Sequence, residues 1–100
     1  MELDFSGLSE SLKALSDPVR LRILRLLAEE RLDRKLNVSS IAQELGISQP
    51  NVSHHIKILK SEGFVTCTKR EGCSYYVVDG GRIETLFSSL KPAIFPEAER

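Results

Sequence analysis

Apolar residues return along most of this chain at intervals of three and four, the period of a helix with one buried face. Leu8, Leu12 and Leu15, with Leu3 and Phe5 ahead of them, mark a first helix from Leu3 to Leu15. Ser16-Asp17-Pro18 ends it and begins the next, with Asp17 as N-cap and Pro18 at the first helical position, where its missing N–H needs no partner. Val19, Ile23, Leu26 and Leu27 form one face of that second helix. Leu21, Leu24 and Ala28 widen the face until only Arg20, Arg22, Arg25 and Glu29 interrupt it. A helix apolar round most of its circumference is expected in the middle of a core.

The run Glu29 to Lys35 is charged and reads as a solvated connection. Asn37 can cap a short third helix carrying Val38, Ile41, Ala42 and Leu45 at helical spacing, and Gly46 supplies the left-handed exit. Only Ile47 separates that exit from Ser48, a good cap for a fourth helix with Pro50 in its first turn. Two helices joined so tightly form a helix-turn-helix. In the fourth helix Val52, Ile56 and Leu59 share one face, while Gln49, Ser53, His54 and Lys57 fall largely on another. Amide and hydroxyl groups both donate and accept, which suits base edges, and lysines suit phosphate. On these residues alone, an ordinary amphipathic helix with a solvated side fits equally well.

Gly63 stops the fourth helix, and the composition then turns to β-formers from Phe64 to Arg70 and again in Tyr75-Tyr76-Val77-Val78. With Glu71-Gly72 at the bend this is a hairpin whose tip carries Lys69 and Arg70. After Asp79-Gly80-Gly81, the residues Ile83, Leu86, Phe87 and Leu90 outline a last helix that Pro92 is expected to end, leaving Ala93 to Arg100 as a frayed tail. The predicted fold is mainly α with a small β-hairpin, in the order α-α-α-α-β-β-α of a winged helix-turn-helix. It forms a single domain over residues 1–100.

Composition narrows the function more than the fold. The chain has 100 residues and a formal net charge of zero, so it does not coat nucleic acid or an acidic membrane by bulk charge. A local basic surface is still expected, because between Lys57 and Arg70 the four basic residues Lys57, Lys60, Lys69 and Arg70 stand against the single acid Glu62. No tract reaches the roughly 20 apolar residues of a membrane span, and Met1-Glu2-Leu3-Asp4 does not open a secretory signal. A cytoplasmic protein without membrane contact is expected. Catalysis is not: Ser53 and His54 are helical neighbours that diverge, and no glycine-rich phosphate loop is present, so neither an active site nor a cofactor is expected.

Three strings are more specific than the element order. Leu12-Lys13-Ala14-Leu15-Ser16-Asp17-Pro18-Val19-Arg20-Leu21-Arg22-Ile23-Leu24, then the run from Ile41 to His55, then Lys69-Arg70-Glu71-Gly72 followed by Tyr75-Tyr76, together resemble the ArsR/SmtB family of bacterial and archaeal repressors. The resemblance covers about residues 8 to 90. It implies a homodimer that presents two recognition helices to successive major grooves of a pseudo-palindromic double-stranded operator. The base-reading face then falls on Gln49, Pro50, Ser53 and His54, with Ser48 near phosphate and Asn51 an additional candidate. His55 is assigned to packing or to phosphate. Lys57 and Lys60 would hold the DNA backbone, and Lys69 and Arg70 would reach phosphate or the minor groove. Dimerisation falls on Phe5, Leu8 and Leu12 of the first helix and on Ile83, Leu86, Phe87 and Leu90 of the last. The sequence adds its own support here, because these faces are more apolar than a small monomer needs.

The family's metal sites do not carry over. Where a Leu-Cys-Val-Cys string supplies thiolates in some members, this chain has Leu36-Asn37-Val38-Ser39. A second family site draws Asp and His from the last helix, yet no histidine follows His55 and Glu84 is the one acid between Arg82 and Leu90. No metal site is expected, and the effector is not readable. Cys67 and Cys73 are expected as free thiols. They remain candidates for a redox response, although in a hairpin centred on Glu71-Gly72 they are not opposite and a disulfide would be strained. Two alternatives stay open: a thiol-responsive repressor, and a winged-helix module whose partner is protein.

Overall fold

The computed structural model describes residues 4–29 and 36–96. Five helices and two strands follow in the expected order: α1 (Phe5–Leu15), α2 (Pro18–Ala28), α3 (Val38–Leu45), α4 (Gln49–Ser61), β1 (Val65–Arg70), β2 (Cys73–Val78) and α5 (Gly80–Ile94). The helix starts are set by side chains that occupy otherwise orphan backbone donors. Asp17 accepts from the N–H groups of Val19 and Arg20 at 2.9 and 3.0 Å. Asn37 and Ser40 form a reciprocal capping box, each side chain accepting from the other's N–H at 2.8 Å. Ser48 accepts from Asn51, and Asp4 and Asp79, which the sequence reading did not single out, cap α1 and α5. Gly46 has φ 67°, the left-handed exit that turns α3 into α4.

Ile23, Ile41, Val52, Leu59, Phe64, Val65 and Leu86 are fully buried and form the centre of one core. The second helix is central as expected, packing on α1, α3, α4 and β2. Its burial is less complete than the composition suggests: Leu21 is 51% exposed and Ala28 lies at the surface. Leu21 lies with Arg22, Arg25 and Glu29 along one open side of α2. The charged connection read from Glu29 to Lys35 falls, after Glu29, outside the described residues.

The two strands pair antiparallel with Arg70 opposite Cys73 and Val65 opposite Val78. Glu71 at φ 52° and Gly72 at φ 79° make a two-residue turn with both central residues left-handed, the conformation whose twist matches a hairpin. That tight turn draws Cys73 and Ser74 into β2, two residues earlier than the β-formers begin. At the other end, Asp79 N–H donates to Phe64 C=O at 2.8 Å, and Tyr76 N–H donates to Leu36 C=O at 2.9 Å, tying the hairpin to the segment before α3.

Two expectations for the last helix need correction. Pro92 does not end it, since α5 runs on to Ile94 with Pro92 inside. Proline removes one donor, and so near a helix end it costs a single hydrogen bond while the next turn still closes, here by Phe95 N–H to Lys91 C=O at 2.8 Å. Ala93 and Ile94 are therefore helical, and the rest of the expected tail from residue 97 lies outside the described residues. Leu86, assigned to the dimer face, is 2% exposed within one chain. It is a core residue, because α5 turns Ile83 and Leu86 towards its own domain.

Candidate nucleic-acid interface

One end of the molecule gathers the helix-turn-helix. Val52, Ile56 and Leu59 are buried, which anchors α4 along one side and fixes the rotation of the helix. Ser48, Gln49, Pro50, Asn51, Ser53, His54, Lys57 and Lys60 are all exposed. Every position of α4 assigned to the DNA face is thus on the surface, and the three apolar positions are not. Gln49 Nε2 lies 3.4 Å from Ser39 Oγ, so the first residue of α4 also touches the first turn of α3.

Lys69 and Arg70 are exposed at the end of β1. Counted from buried Val65, Arg70 stands about 17 Å along the strand at ~3.4 Å per residue, which makes the wing a projecting arm. Successive strand residues point to opposite faces, so Lys69 shares the inner face with Cys67, Ser74 and Tyr76, and Arg70 shares the outer face with Cys73 and Tyr75. The same alternation separates the two free cysteines: Cys67 is half-buried on the inner face and Cys73 exposed on the outer. A disulfide between them within one hairpin is excluded by that geometry. Burial, helped by neighbouring Cys67, pushes the Tyr76 phenol upward.

His55 turns away from the exposed face, and its surroundings were not legible in the sequence. Its Nδ1 lies 3.1 Å from Arg20 Nη1 and 3.9 Å from Asp17 Oδ2. Arg20 also donates from Nε to Ala14 C=O at 2.7 Å and from Nη2 to Lys13 C=O at 3.2 Å, closing the C-terminal end of α1. A guanidinium has donors only, so Nδ1 must be the acceptor and the ring is neutral with its proton on Nε2. Burial holds the His55 pKa below its ordinary value; Asp17 opposes the shift, and the charges of Arg20 and His54 reinforce it. Asp17 is itself lowered, first by the Arg20 N–H that it accepts and then, against some desolvation, by the neighbouring positive charge.

A second arginine holds the other end of α4. Arg82 Nε donates to Glu62 C=O at 2.9 Å, and its Nη2 donates to Ser11 Oγ at 2.8 Å. Ser11, 4% exposed, donates its own O–H to Glu62 Oε1 at 3.0 Å, while the guanidinium stacks 4.8 Å from the Phe64 ring centre. Arg20 and Arg82 each bridge α4 or its cap to α1. Their partners lie between 6 and 71 residues away, so no local pattern announces them.

On the outer surfaces of α1 and α5, Phe5, Phe87 and Ile94 are each more than half exposed, and Phe95 follows them. Between the two helices runs a groove of about 410 Å³ lined by Phe5, Leu8, Leu12, Leu90 and Ile94 among others. Among the described residues no three His, Cys, Asp or Glu side chains converge as a metal site would need, and no helix is long and apolar enough to cross a membrane.

Known proteins share this arrangement. An HTH-type transcriptional regulator of Methanocaldococcus jannaschii is 38% identical over 78% of this chain and 84% of its own length. The transcriptional repressor PagR of Bacillus anthracis is 33% identical over 84% of this chain and 81% of its own. Among solved structures, an ArsR-like regulator from Rhodococcus sp. RHA1 superposes with a TM-score of 0.79 at 26% identity, covering 96% of this chain and 86% of that one. A homodimeric winged helix-turn-helix DNA-binding domain from Mycobacterium bovis, described as a possible ArsR-family regulator, gives 0.68 at 28% identity over 94% of this chain and 83% of its own. Residues 17–66, from the cap of α2 into β1, match the sequence model of the bacterial regulatory proteins of the arsR family, and the chain belongs to that family.

Proposed function

We propose that the protein is a homodimeric, sequence-specific DNA-binding repressor that lays α4 in the major groove and rests the wing on the flanking backbone. The observation that carries this reading is the division of α4 into a buried stripe and a face of exposed polar and basic groups. Gln49 offers a bidentate amide for adenine, Ser53 and His54 can each donate or accept at a base edge, and Lys57 and Lys60 meet phosphate. The dimer supplies two such helices, so half-sites about 10 base pairs apart are expected in a pseudo-palindromic operator. The Mycobacterium bovis domain, homodimeric and DNA-binding by its description, supports the same assembly here. The family's thiolate and carboxylate–histidine metal sites have no counterpart among the residues that would supply them, so another signal is expected to release the DNA.

The test is an unbiased selection from random duplexes with the purified chain. It should return a palindromic consensus whose binding weakens steeply with salt. Gln49→Ala should relax preference at one symmetric base pair at a cost of about 1–3 kcal/mol. Recovery of no preferred sequence would sink the proposal.

A further inference from the structure

We propose that Arg20 and His55 form a latch that positions the recognition helix, and that the latch holds only while His55 is neutral, so that acidification releases DNA. This rests on the DNA-reading role of α4 proposed above. Arg20 grips three elements at once: from α2 it closes the last carbonyls of α1, at Lys13 and Ala14, and donates to the ring of His55 in the middle of α4. The other bracket on α4, Arg82 with Ser11 and Glu62, contains no histidine. His55 is therefore the one point at which a proton can alter how α4 is held between these brackets.

The chemistry of protonation follows from the donors present. A proton on Nδ1 places an N–H against the Nη1 of Arg20 at 3.1 Å, two donors and two positive charges where one hydrogen bond stood. The charged ring is then drawn towards Asp17, whose Oδ2 is 3.9 Å away and already accepts the N–H groups of Val19 and Arg20. The ring cannot satisfy Asp17 and stay on Arg20, so α4 shifts relative to α1 and α2. The third group facing His55 is His54, whose ring centre is 5.4 Å away on the exposed face.

The test uses the full chain and the duplex recovered by selection, with affinity followed by fluorescence anisotropy at fixed ionic strength from pH 8 to 5.5. The wild type should weaken by about tenfold or more, the scale of a lost hydrogen bond to a charged group. His55→Asn, whose amide oxygen replaces Nδ1 as acceptor and does not titrate, should stay within about threefold across the same range. His54→Asn should start weaker and still lose affinity with acid, because the Arg20–His55 contact is intact in that variant. Circular dichroism at pH 5.5 should show helicity retained, separating release of the latch from unfolding. Equal pH profiles for wild type and His55→Asn would overturn the proposal. Nitrogen-15 imidazole spectra of the free protein provide an arm that needs no DNA and no variant. His55 should appear as the Nε2–H tautomer and protonate below the ordinary histidine range, and an Nδ1–H tautomer would overturn the latch even if His55→Asn does not fold. If no duplex is bound at any pH while the tautomer is as expected, it is the DNA-reading role that fails.

Discussion

At the scale of single residues, Gly46 is the position where backbone conformation alone sets the cost of change. Its φ of 67° is left-handed, and a Cβ built there meets nothing within 4 Å. Gly46→Ala should therefore cost only the strain of that conformation, about 1–2 kcal/mol, with Gly46→Asn milder. For a domain of this size 1 kcal/mol lowers the melting temperature by about 4–8 °C, which calorimetry resolves. His55 and Asp17 make a prediction of stability against pH. The folded state lowers the pKa of both, by burial at His55 and by accepted N–H groups at Asp17. For His55 the unfolded chain binds the proton more readily, so its contribution is full above about pH 6.5 and fades as pH falls through its lowered folded value. For Asp17 the contribution is full above its unfolded value of 3.8 and is lost below it. Stability should fall in two acid stages, and His55→Asn should remove the first. The exposure of Gln49, Ser53 and His54 was legible from helical period. The roles of Arg20 and Arg82 were not, because a side chain that ties distant segments together leaves no spacing to read.

Elements were legible wherever a side chain punctuates the backbone. Asp17, Asn37 and Ser48 start helices where the sequence places them, and Gly46 and Gly63 stop them. Pro92 misled for a physical reason: proline was read as a stop, yet one lost donor in the last turn of α5 leaves the closing bond from Phe95 N–H to Lys91 C=O intact. Ser48→Ala removes the acceptor for Asn51 N–H at the first turn of α4 and should cost about 1 kcal/mol of stability. The wing yields a sharper prediction. Because Lys69 and Arg70 point to opposite faces of β1, only one can lie flat against a given backbone. The slope of log affinity against log salt should fall by about one for one of the two alanine variants and by much less for the other. Equal losses would show that both side chains wrap to the same phosphates.

For the whole molecule, the decisive quantity is the apolar surface that a single chain leaves uncovered. Its radius of gyration is 15.4 Å, against about 13 Å for a compact domain of 100 residues. Among the described residues, Phe5, Phe87, Ile94 and Phe95 supply four of the six large hydrophobic side chains that are exposed, all on α1 or at α5 and its cap, while Leu86 of the same helix is sealed. Of the residues the sequence assigned to a dimer face, Phe5 and Phe87 are exposed, while Leu86 is sealed because periodicity does not say which neighbour covers a stripe. Changing Phe87 and Ile94 together to Glu should leave the fold intact, since neither side chain is buried in one chain, but charge a face that must be dry in a dimer. Sedimentation should then show a folded monomer in place of a dimer. Each monomer still carries an intact α4, so binding to a single half-site should persist, while affinity for the full operator should drop by about 10²–10⁴ as the link between half-sites is lost. A wild-type chain that sediments as a monomer, or a double variant that remains dimeric, would mean that these exposed aromatics serve some surface other than a second copy of the chain.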